Sequence, residues 1–312
     1  MRTSTVTAGS LSATLAGFAA ALSAAPAEAL VIAPIDSAAS APTALVDALV
    51  KPGSGIAIVP SSVTYQGTHG AALWQSALYS GFTLAPATGS TPTLSLPDGV
   101  LLTSGNAAVP LTNSLEQFNG VSRSGANAAL SALSGGETAD ANVLSFRFTA
   151  PAGRTSVSAQ FVFGTEEYPL QNATDIFGFF IDGVNFARFS NGDLISNTPG
   201  NPTNFIANPV GSGLYGIEYN GLTRSLTVIG LLGTAGSDGS HAFSVGVADT
   251  SDPIFDSGVF LSPLLLGTAT GGGIVDVPAI PEPETFGLML AGLAAGCAFL
   301  RGRRPSLRAR AA

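Results

Sequence analysis

The chain has 312 residues, with 12 Lys and Arg against 20 Asp and Glu, a formal net charge of −8 and a hydrophobic fraction of 46%. This acidic balance argues against nucleic acid or anionic lipid as a partner, because both carry negative charge. The single cysteine, Cys297, excludes a disulfide framework and a zinc site built from several thiolates. With 38 glycines and 20 prolines, the composition predicts strands and tight turns rather than helices.

The first 29 residues predict a secretory signal peptide. Arg2 supplies a positive start, residues 11–25 are small and apolar, and Ala27 and Ala29 form an A-x-A cleavage site. We therefore expect export across the inner membrane and a mature chain that begins near Leu30.

The domain expected at residues 30–267 begins with elements that are separated by turns rich in Pro, Gly and Thr. Its first helix is predicted where Thr43 supplies an N-cap and apolar residues follow on one side. In this first part we expect a helix at 43–50, a strand at 55–65, apolar segments at 74–84 and 94–103, and one or two helical turns at 127–133.

Period-two alternation appears in the middle of the chain. In residues 143–148 and 156–163, apolar side chains alternate with polar ones, which indicates strands with one buried face. The dipeptide at 182–183, Asp-Gly, lies between apolar runs at 176–181 and 184–189 and predicts a hairpin with a type I′ turn. Later strands are expected at 216–219, 226–232, 241–248 and 258–266.

The spacing of these elements predicts the fold class. Strands recur with turn signals between them and without the regular spacing of β-α-β units. We therefore expect an all-β fold, a single β-sandwich or jelly-roll-like domain with one or two short helices. The Gly-rich residues 268–280 are expected to form a linker.

The last 32 residues, 281–312, combine three features in a fixed order. Pro281, Glu282 and Pro283 interrupt regular structure, and an apolar run at 286–300 follows. As a helix this run would span ~22 Å, short of a ~30 Å hydrocarbon core, so insertion requires bilayer thinning and snorkelling of flanking cations. The basic tail at 301–312 predicts a cytoplasmic C-terminus. Its first three arginines are Arg301, Arg303 and Arg304.

This order of tripeptide, apolar run and arginine cluster closely resembles the PEP-CTERM sorting signal of Gram-negative bacteria. The resemblance implies that an exosortase-type membrane protease cuts near the tripeptide after the helix at 286–300 has held the chain in the inner membrane. An ordinary tail anchor is the alternative.

Four spaced motifs recur in order along the predicted domain. They are Glu137–Asp140, Phe161–Pro169 with Asp175–Phe180, Ile217–Thr223, and Ala248–Leu261. Together they resemble the choice-of-anchor L family, over roughly residues 43–266. Thr165 and Asn220 stand where that family usually has a serine and an aspartate. The resemblance implies an exported bacterial protein with a C-terminal anchor and brings no established biochemical activity.

Two groups of acidic residues are candidate calcium ligands. Calcium binds several carboxylate and carbonyl oxygens supplied by turning backbone. Neither group has the spacing of an EF-hand loop, and the alternative is that these side chains cap backbone amides at turns. The first group is Glu166, Glu167 and Asp175, and the second is Asp249, Asp252 and Asp256.

No residue is predicted to be catalytic. Glu166 and Glu167 are adjacent, so on a strand they point to opposite faces and do not form a paired acid and base. A nucleophile elbow of the Gly-x-Ser-x-Gly type is missing from the sequence.

The sequence therefore predicts an exported, non-enzymatic protein of the cell surface or extracellular matrix of a Gram-negative bacterium. Its expected partners are the exosortase-type protease and exopolysaccharide or surface proteins, with no nucleic acid. One alternative is a calcium-dependent carbohydrate-binding module or adhesin. Another is a secreted glycan hydrolase that pairs one of the two adjacent glutamates with a second carboxylate.

Overall fold

Two large antiparallel sheets pack face to face in the computed structural model. It describes residues 29–70, 73–87, 89, 91–169, 175–197, 202–250 and 253–276, all of them within one compact unit, Ala27–Ile280. The predicted all-β sandwich with two short helices is confirmed.

The helices are α1 (Ala41–Leu49) and α2 (Ala128–Ser134), with a 3₁₀ turn at Pro202–Asn204. In chain order the strands are β1 (Val31–Pro34), β2 (Ala57–Ile58), β3 (Thr64–Gln66), β4 (His69–Gly70), β5 (Leu73–Trp74), β6 (Ser76–Ser80), β7 (Thr83–Leu84), β8 (Leu94–Ser95), β9 (Gly99–Thr103), β10 (Thr138–Thr149), β11 (Ser156–Thr165), β12 (Ile176–Ile181), β13 (Val184–Asn185), β14 (Ile195–Ser196), β15 (Ile206–Ala207), β16 (Gly221–Leu222), β17 (Leu226–Leu231), β18 (His241–Thr250), β19 (Ser257–Leu261), β20 (Leu265–Gly267) and β21 (Gly273–Asp276).

The larger sheet, sheet A, has the order β1-β6-β9-β19-β11-β16-β15; β17 and β20 join it beside β11, and β21 joins it beside β17. The smaller one, sheet B, has the order β13-β12-β18-β10-β2, with β14 beside β12 and β3 beside β10. The acidic residues singled out in the sequence lie in or near the ends of β11 and β19 of sheet A and of β10, β12 and β18 of sheet B.

The main core lies between the two sheets. Phe161 and Phe163 of β11 face it from sheet A, and Phe177 and Phe179 of β12 face it from sheet B. The rings of Phe161 and Phe177 lie 5.1 Å apart, so the two sheets contact each other through aromatic side chains.

Sheet A is buried on both faces, which the alternating sequence pattern did not predict. Val162 and Phe260 point away from the main core into a second core. Two irregular segments, residues 104–127 and 208–220, cover this outer face. The covering side chains are Ala107, Val109, Phe118, Tyr215, Ile217 and Tyr219.

Both predicted helices are present. α1 begins at Ala41 rather than at Thr43, because Pro42 fits the first turn, where no intrahelical N–H bond is needed. In α2 the side chain of Asn127 accepts bonds from the backbone N–H groups of Ala129 and Leu130 at 3.1 and 3.3 Å. Asn127 thus caps the helix.

Several predicted strands differ from the observed ones. The strand expected at 55–65 is split into β2 and β3 by a turn at Ser61, which has φ +58°. Residues 216–219 form no strand. The side-chain amide of Asn208 donates to the carbonyls of Ile217 and Tyr219, so these carbonyls are bonded without a neighbouring strand. The strand expected at 258–266 is divided into β19 and β20.

The predicted linker contains one strand of sheet A. β21 lies within residues 268–280 and pairs with β17 from Leu226↔Asp276 to Ile229↔Gly273. One edge of β17 pairs with β11. The other edge pairs with β21, which satisfies the backbone N–H and C=O groups there. The Gly-rich composition of residues 268–280 does not indicate that the edge of β17 is available for pairing.

The hairpin predicted at Asp182 and Gly183 is confirmed. Their φ angles of +50° and +81° fit a type I′ turn, and Ile181 pairs with Val184 across it. The Asp182 carboxylate accepts bonds from the N–H groups of Ala242 and Gly233 at 2.8 and 2.9 Å, and its Oδ2 lies 2.8 Å from the ring of His241. One side chain therefore joins the hairpin to β18 and to the segment after β17.

We expect Asp182→Ala to lower the free energy of unfolding by roughly 2–4 kcal/mol, because it removes three charge-assisted contacts and places a Cβ-only residue at positive φ. Denaturant unfolding measures the change. Asp36→Ala is the matched control at an exposed bend and should stay within about 0.5 kcal/mol. Equal effects of the two substitutions would contradict the role of Asp182.

Candidate functional site

Four strand ends meet at one end of the sandwich. In sheet A, Thr165 at the end of β11 pairs with Ser257 at the start of β19. In sheet B, Ile176 at the start of β12 pairs with Ala248 near the end of β18. The acidic residues of the sequence motifs lie at or just beyond these ends, so both sheets deliver carboxyl groups to the same place.

The structure brings together five of the six predicted ligands, which are Glu166, Glu167, Asp175, Asp249 and Asp256. Each of them is almost fully buried, with an exposed fraction of 0–1%. The sixth, Asp252, lies outside the described residues. We refer to the end of the sandwich that holds the five side chains as the acidic end.

Asp256 uses both carboxylate oxygens to hold the backbone of the covering segment. Asn106 N–H donates to Oδ2 at 2.9 Å and Gly120 N–H donates to Oδ1 at 2.8 Å. The fit requires a glycine at position 105, because a Cβ there would lie 1.9 Å from the Asp256 carboxyl carbon. Asp256 is thus a structural clamp, as the turn-capping alternative predicts.

Two further acids of the same kind were not predicted as site residues. Asp140 accepts the N–H groups of Ser122 and Arg123 at 2.8 and 2.7 Å. Glu218 accepts the N–H group of Leu115 at 2.7 Å. Both residues belong to the motifs quoted from the sequence, so their motif membership was the signal that could have identified them.

Only one of the two carboxylate oxygens of Glu166 accepts a hydrogen bond from the described residues. Its Oε2 accepts a bond from the Asn220 side-chain amide at 2.8 Å, and its Oε1 has no hydrogen-bond partner among the described residues. Burial, and then the charges of Glu218 and Asp256, raise the pKa of Glu166 to about 9. Asn220 replaces the aspartate usual in the family motif, and its amide donates a bond that an ionised aspartate lacks.

Asp175 and Asp249 face each other across the ends of β12 and β18. They occupy the next register position after Ile176↔Ala248. None of their four carboxylate oxygens has a hydrogen-bond donor among the described residues. Burial, and then the charges of Asp249 and Glu167, raise the pKa of Asp175 well above its usual range. Burial likewise raises the pKa of Asp249, against an opposing effect of the Ser104 hydroxyl.

The acidic end has little compensating positive charge. The salt bridges found in the described part of the chain are Arg147–Asp238 and His241–Asp182, and both lie elsewhere in the fold. Several carboxylates cannot all remain ionised in a buried site without a cation, because desolvation and mutual repulsion both oppose it. Protons or a bound cation must therefore neutralise part of this charge.

Metal coordination by three or more acids is not preformed. Over the described ranges, no group of three or more His, Cys, Asp or Glu side chains is arranged to hold a metal ion. A cation would therefore need hydroxyl, carbonyl or water oxygens beside two carboxylates. The two carboxylates that lack donors, Asp175 and Asp249, are the ones open to such a role.

A groove on the outer face of sheet B is the second feature of interest. Its volume is about 280 Å³. The hydroxyls of Ser145 and Ser244 are hydrogen-bonded at 2.8 Å in its lining, and Arg147 beside them forms an ion pair with Asp238 at 2.7 Å. Phe180 contributes its ring to the lining, although the residue is only 9% exposed. The lining is therefore mostly apolar, with the guanidinium of Arg147 as its exposed charged group.

Several predicted residues lie outside the described ranges. They include Ala27 of the predicted cleavage site, residues 281–283 and the three arginines of the basic tail, whereas Ala29 is described and exposed. Across the described segments, no helix has both the length and the apolar character needed to cross a membrane. The predicted apolar run at 286–300 is not among these segments.

Comparison with known proteins identifies one family. The family model described as a choice-of-anchor L domain matches residues 35–263, most of the chain. Comparisons with curated proteins and with solved structures find no match. The matched range contains every acid of the acidic end and the whole lining of the groove.

The raised pKa values predict how stability depends on pH. In the unfolded chain a carboxyl has a pKa of about 4. If its pKa is higher in the folded protein, its contribution to stability falls as pH rises from the unfolded pKa to the folded pKa. The folded values are about 9 for Glu166 and about 7 for Asp256. In the presence of a chelator, the free energy of unfolding should therefore fall as pH rises from about 4 to about 9.

Thermal unfolding across this pH range measures the effect. Glu166→Gln should flatten the part of the decline between pH 7 and 9, because the variant has no carboxyl to titrate there. Asp36→Asn, at an exposed bend, should leave the profile unchanged. A wild-type profile that is flat or rises over this range would contradict the assignment.

Proposed function

The chain belongs to the choice-of-anchor L domain family, and from this premise we propose that it is an exported protein sorted at its C-terminus by an exosortase-type membrane protease. The family description marks a cell-surface-associated protein. The order of features in residues 281–312 supports the finer proposal, since a helix-breaking tripeptide, an apolar run and a cluster of arginines follow one another. The inner membrane then holds the chain only until cleavage.

The burial of the acidic residues supports a non-enzymatic role. A glycan hydrolase needs an acid and a second carboxylate on either side of the scissile bond of its substrate. Glu166 and Glu167 have exposed fractions of 1% and 0%, and the backbone of Glu167 is bonded to Thr165 and Asn197. Neither carboxyl is accessible to a glycan in solution, so hydrolysis is the weaker alternative.

The groove on sheet B supports exopolysaccharide as the partner. Sugars are bound by charged hydrogen-bonding groups together with apolar surfaces, and the groove combines the guanidinium of Arg147 with a mostly apolar lining. The Arg147 side chain is about half exposed, with a relative exposure of 48%. It can therefore exchange part of its contact with Asp238 for a contact with a sugar hydroxyl or carboxylate.

The sorting proposal predicts the C-terminus of the mature protein. In the native host, mass spectrometry should find that the mature chain ends near Pro281. Replacing Pro281, Glu282 and Pro283 together by alanine should leave the uncut chain in the membrane fraction. Pro278→Ala is the matched control outside the tripeptide and should be cut normally. Normal cutting of the triple variant, or in a host without exosortase, would contradict the proposal.

The groove predicts binding to exopolysaccharide purified from the same host. Arg147→Ala should weaken this binding about tenfold, because it removes charge-assisted hydrogen bonds worth about 1.4 kcal/mol. Arg154→Ala, an exposed arginine away from the groove, should bind like wild type. Equal loss in both variants would indicate general charge attraction. Release of reducing sugar ends during the incubation would favour the hydrolase alternative.

A further inference from the structure

We propose that Asp175 and Asp249 hold a divalent cation of the calcium class at the acidic end of the sandwich. The site would tie the start of β12 to the end of β18 within sheet B. The inference goes beyond the surface role proposed above and does not depend on how the chain is sorted.

The first observation is the pair itself. The two side chains lie on neighbouring strands, with exposed fractions of 0% for Asp175 and 1% for Asp249. All four of their carboxylate oxygens are buried and lack a hydrogen-bond donor in the described part of the protein. A buried carboxylate without a donor or a cation is strongly unfavourable, so the arrangement requires a neutralising partner.

The second observation is the contrast with the other acids nearby. Asp140 and Asp256 each receive two backbone N–H groups, and Glu218 receives those of Ser114 and Leu115. The fold can therefore satisfy buried carboxylates with backbone donors at this end. It supplies no backbone donor to Asp175 and Asp249, so the pair is neutralised either by a proton shared between the two carboxyl groups or by a cation from outside the chain.

The third observation is the kind of atom that surrounds the pair. The Ser257 hydroxyl faces Asp175 and the Ser104 hydroxyl faces Asp249, although neither makes a hydrogen bond of normal geometry to the carboxylate. The charge of Glu167 also acts on Asp175. The donors are therefore oxygen atoms, with no histidine or cysteine among the groups that act on the pair, which favours calcium over zinc.

The number of acids fits such a site. Calcium accepts six to eight oxygens and takes carbonyl, hydroxyl and water oxygens beside carboxylates. Two carboxylates and two hydroxyls would form part of this shell. The competing explanation is that the two carboxyl groups share protons and bind no metal. The two explanations differ in what added calcium does to the protein.

The test uses the full chain, first freed of metal with a chelator. Millimolar calcium, the range of extracellular calcium modules, should raise Tm by about 3–6 °C once it exceeds Kd roughly tenfold. Terbium, an ion of similar size and preference, should show luminescence sensitised through Tyr219, because the charge of Asp175 acts on that buried ring. Calcium should displace the terbium signal.

Two variants locate the site. Asp249→Asn and Asp175→Asn keep the side-chain shape and remove one charge, so each should abolish the calcium-dependent rise in Tm. Without metal, each variant should melt at or above the wild-type temperature, because a buried charge has been removed. Asp238→Asn removes an exposed charge far from the pair and should keep the full calcium response.

Two outcomes would overturn the proposal. One is a wild-type protein whose Tm and terbium signal do not respond to calcium, which would assign the pair to proton sharing. The other is a calcium response that survives in both Asp175→Asn and Asp249→Asn, which would place the ion elsewhere. If either variant fails to fold, the wild-type terbium titration still decides. None of these outcomes bears on where exosortase cuts the chain.

Discussion

The fold depends on one constraint, the burial of sheet A on both of its faces. One face packs against sheet B, and the other is covered by two long segments without helix or strand. Such segments carry backbone N–H groups that no sheet or helix satisfies. Asp140, Glu218 and Asp256 accept these groups in pairs, so buried carboxylates act here as substitutes for the bonds of regular secondary structure.

This use of carboxylates explains why acidic residues concentrate at one end of the protein. The covering segment 104–127 runs from the end of β9 to the start of α2, and its backbone meets acids from β10, from the turn before β19 and from segment 208–220. Carboxylates that accept these backbone N–H groups are buried, and burying their charge costs free energy when no basic side chain is near. Asp175 and Asp249 add to that charge without clamping any backbone, and this difference separates them from their neighbours.

The strand β18 connects the groove on sheet B with the acidic end. Its first half contributes Ala242 and Ser244 to the groove, and its last residues contribute Asp249 to the acidic end. The groove is open and lies on the outer face of sheet B, whereas the acids are enclosed. The groove is therefore the part of β18 that solvent reaches, whereas the enclosed acids act within the fold.

The sequence alone determined the β class, the Asp-Gly hairpin, the presence of two short helices and the grouping of acids into motifs, because alternation, turn chemistry and helix periodicity are local properties. Only the tertiary structure decided that residues 216–219 cover a sheet rather than join one, and that β21 completes an edge. It also decided which acids are clamps and which lack donors. Those outcomes depend on groups outside the local sequence window, because Asn208 lies 9 residues before Ile217, β17 lies roughly 50 residues before β21, and Asn106 lies 150 residues before Asp256.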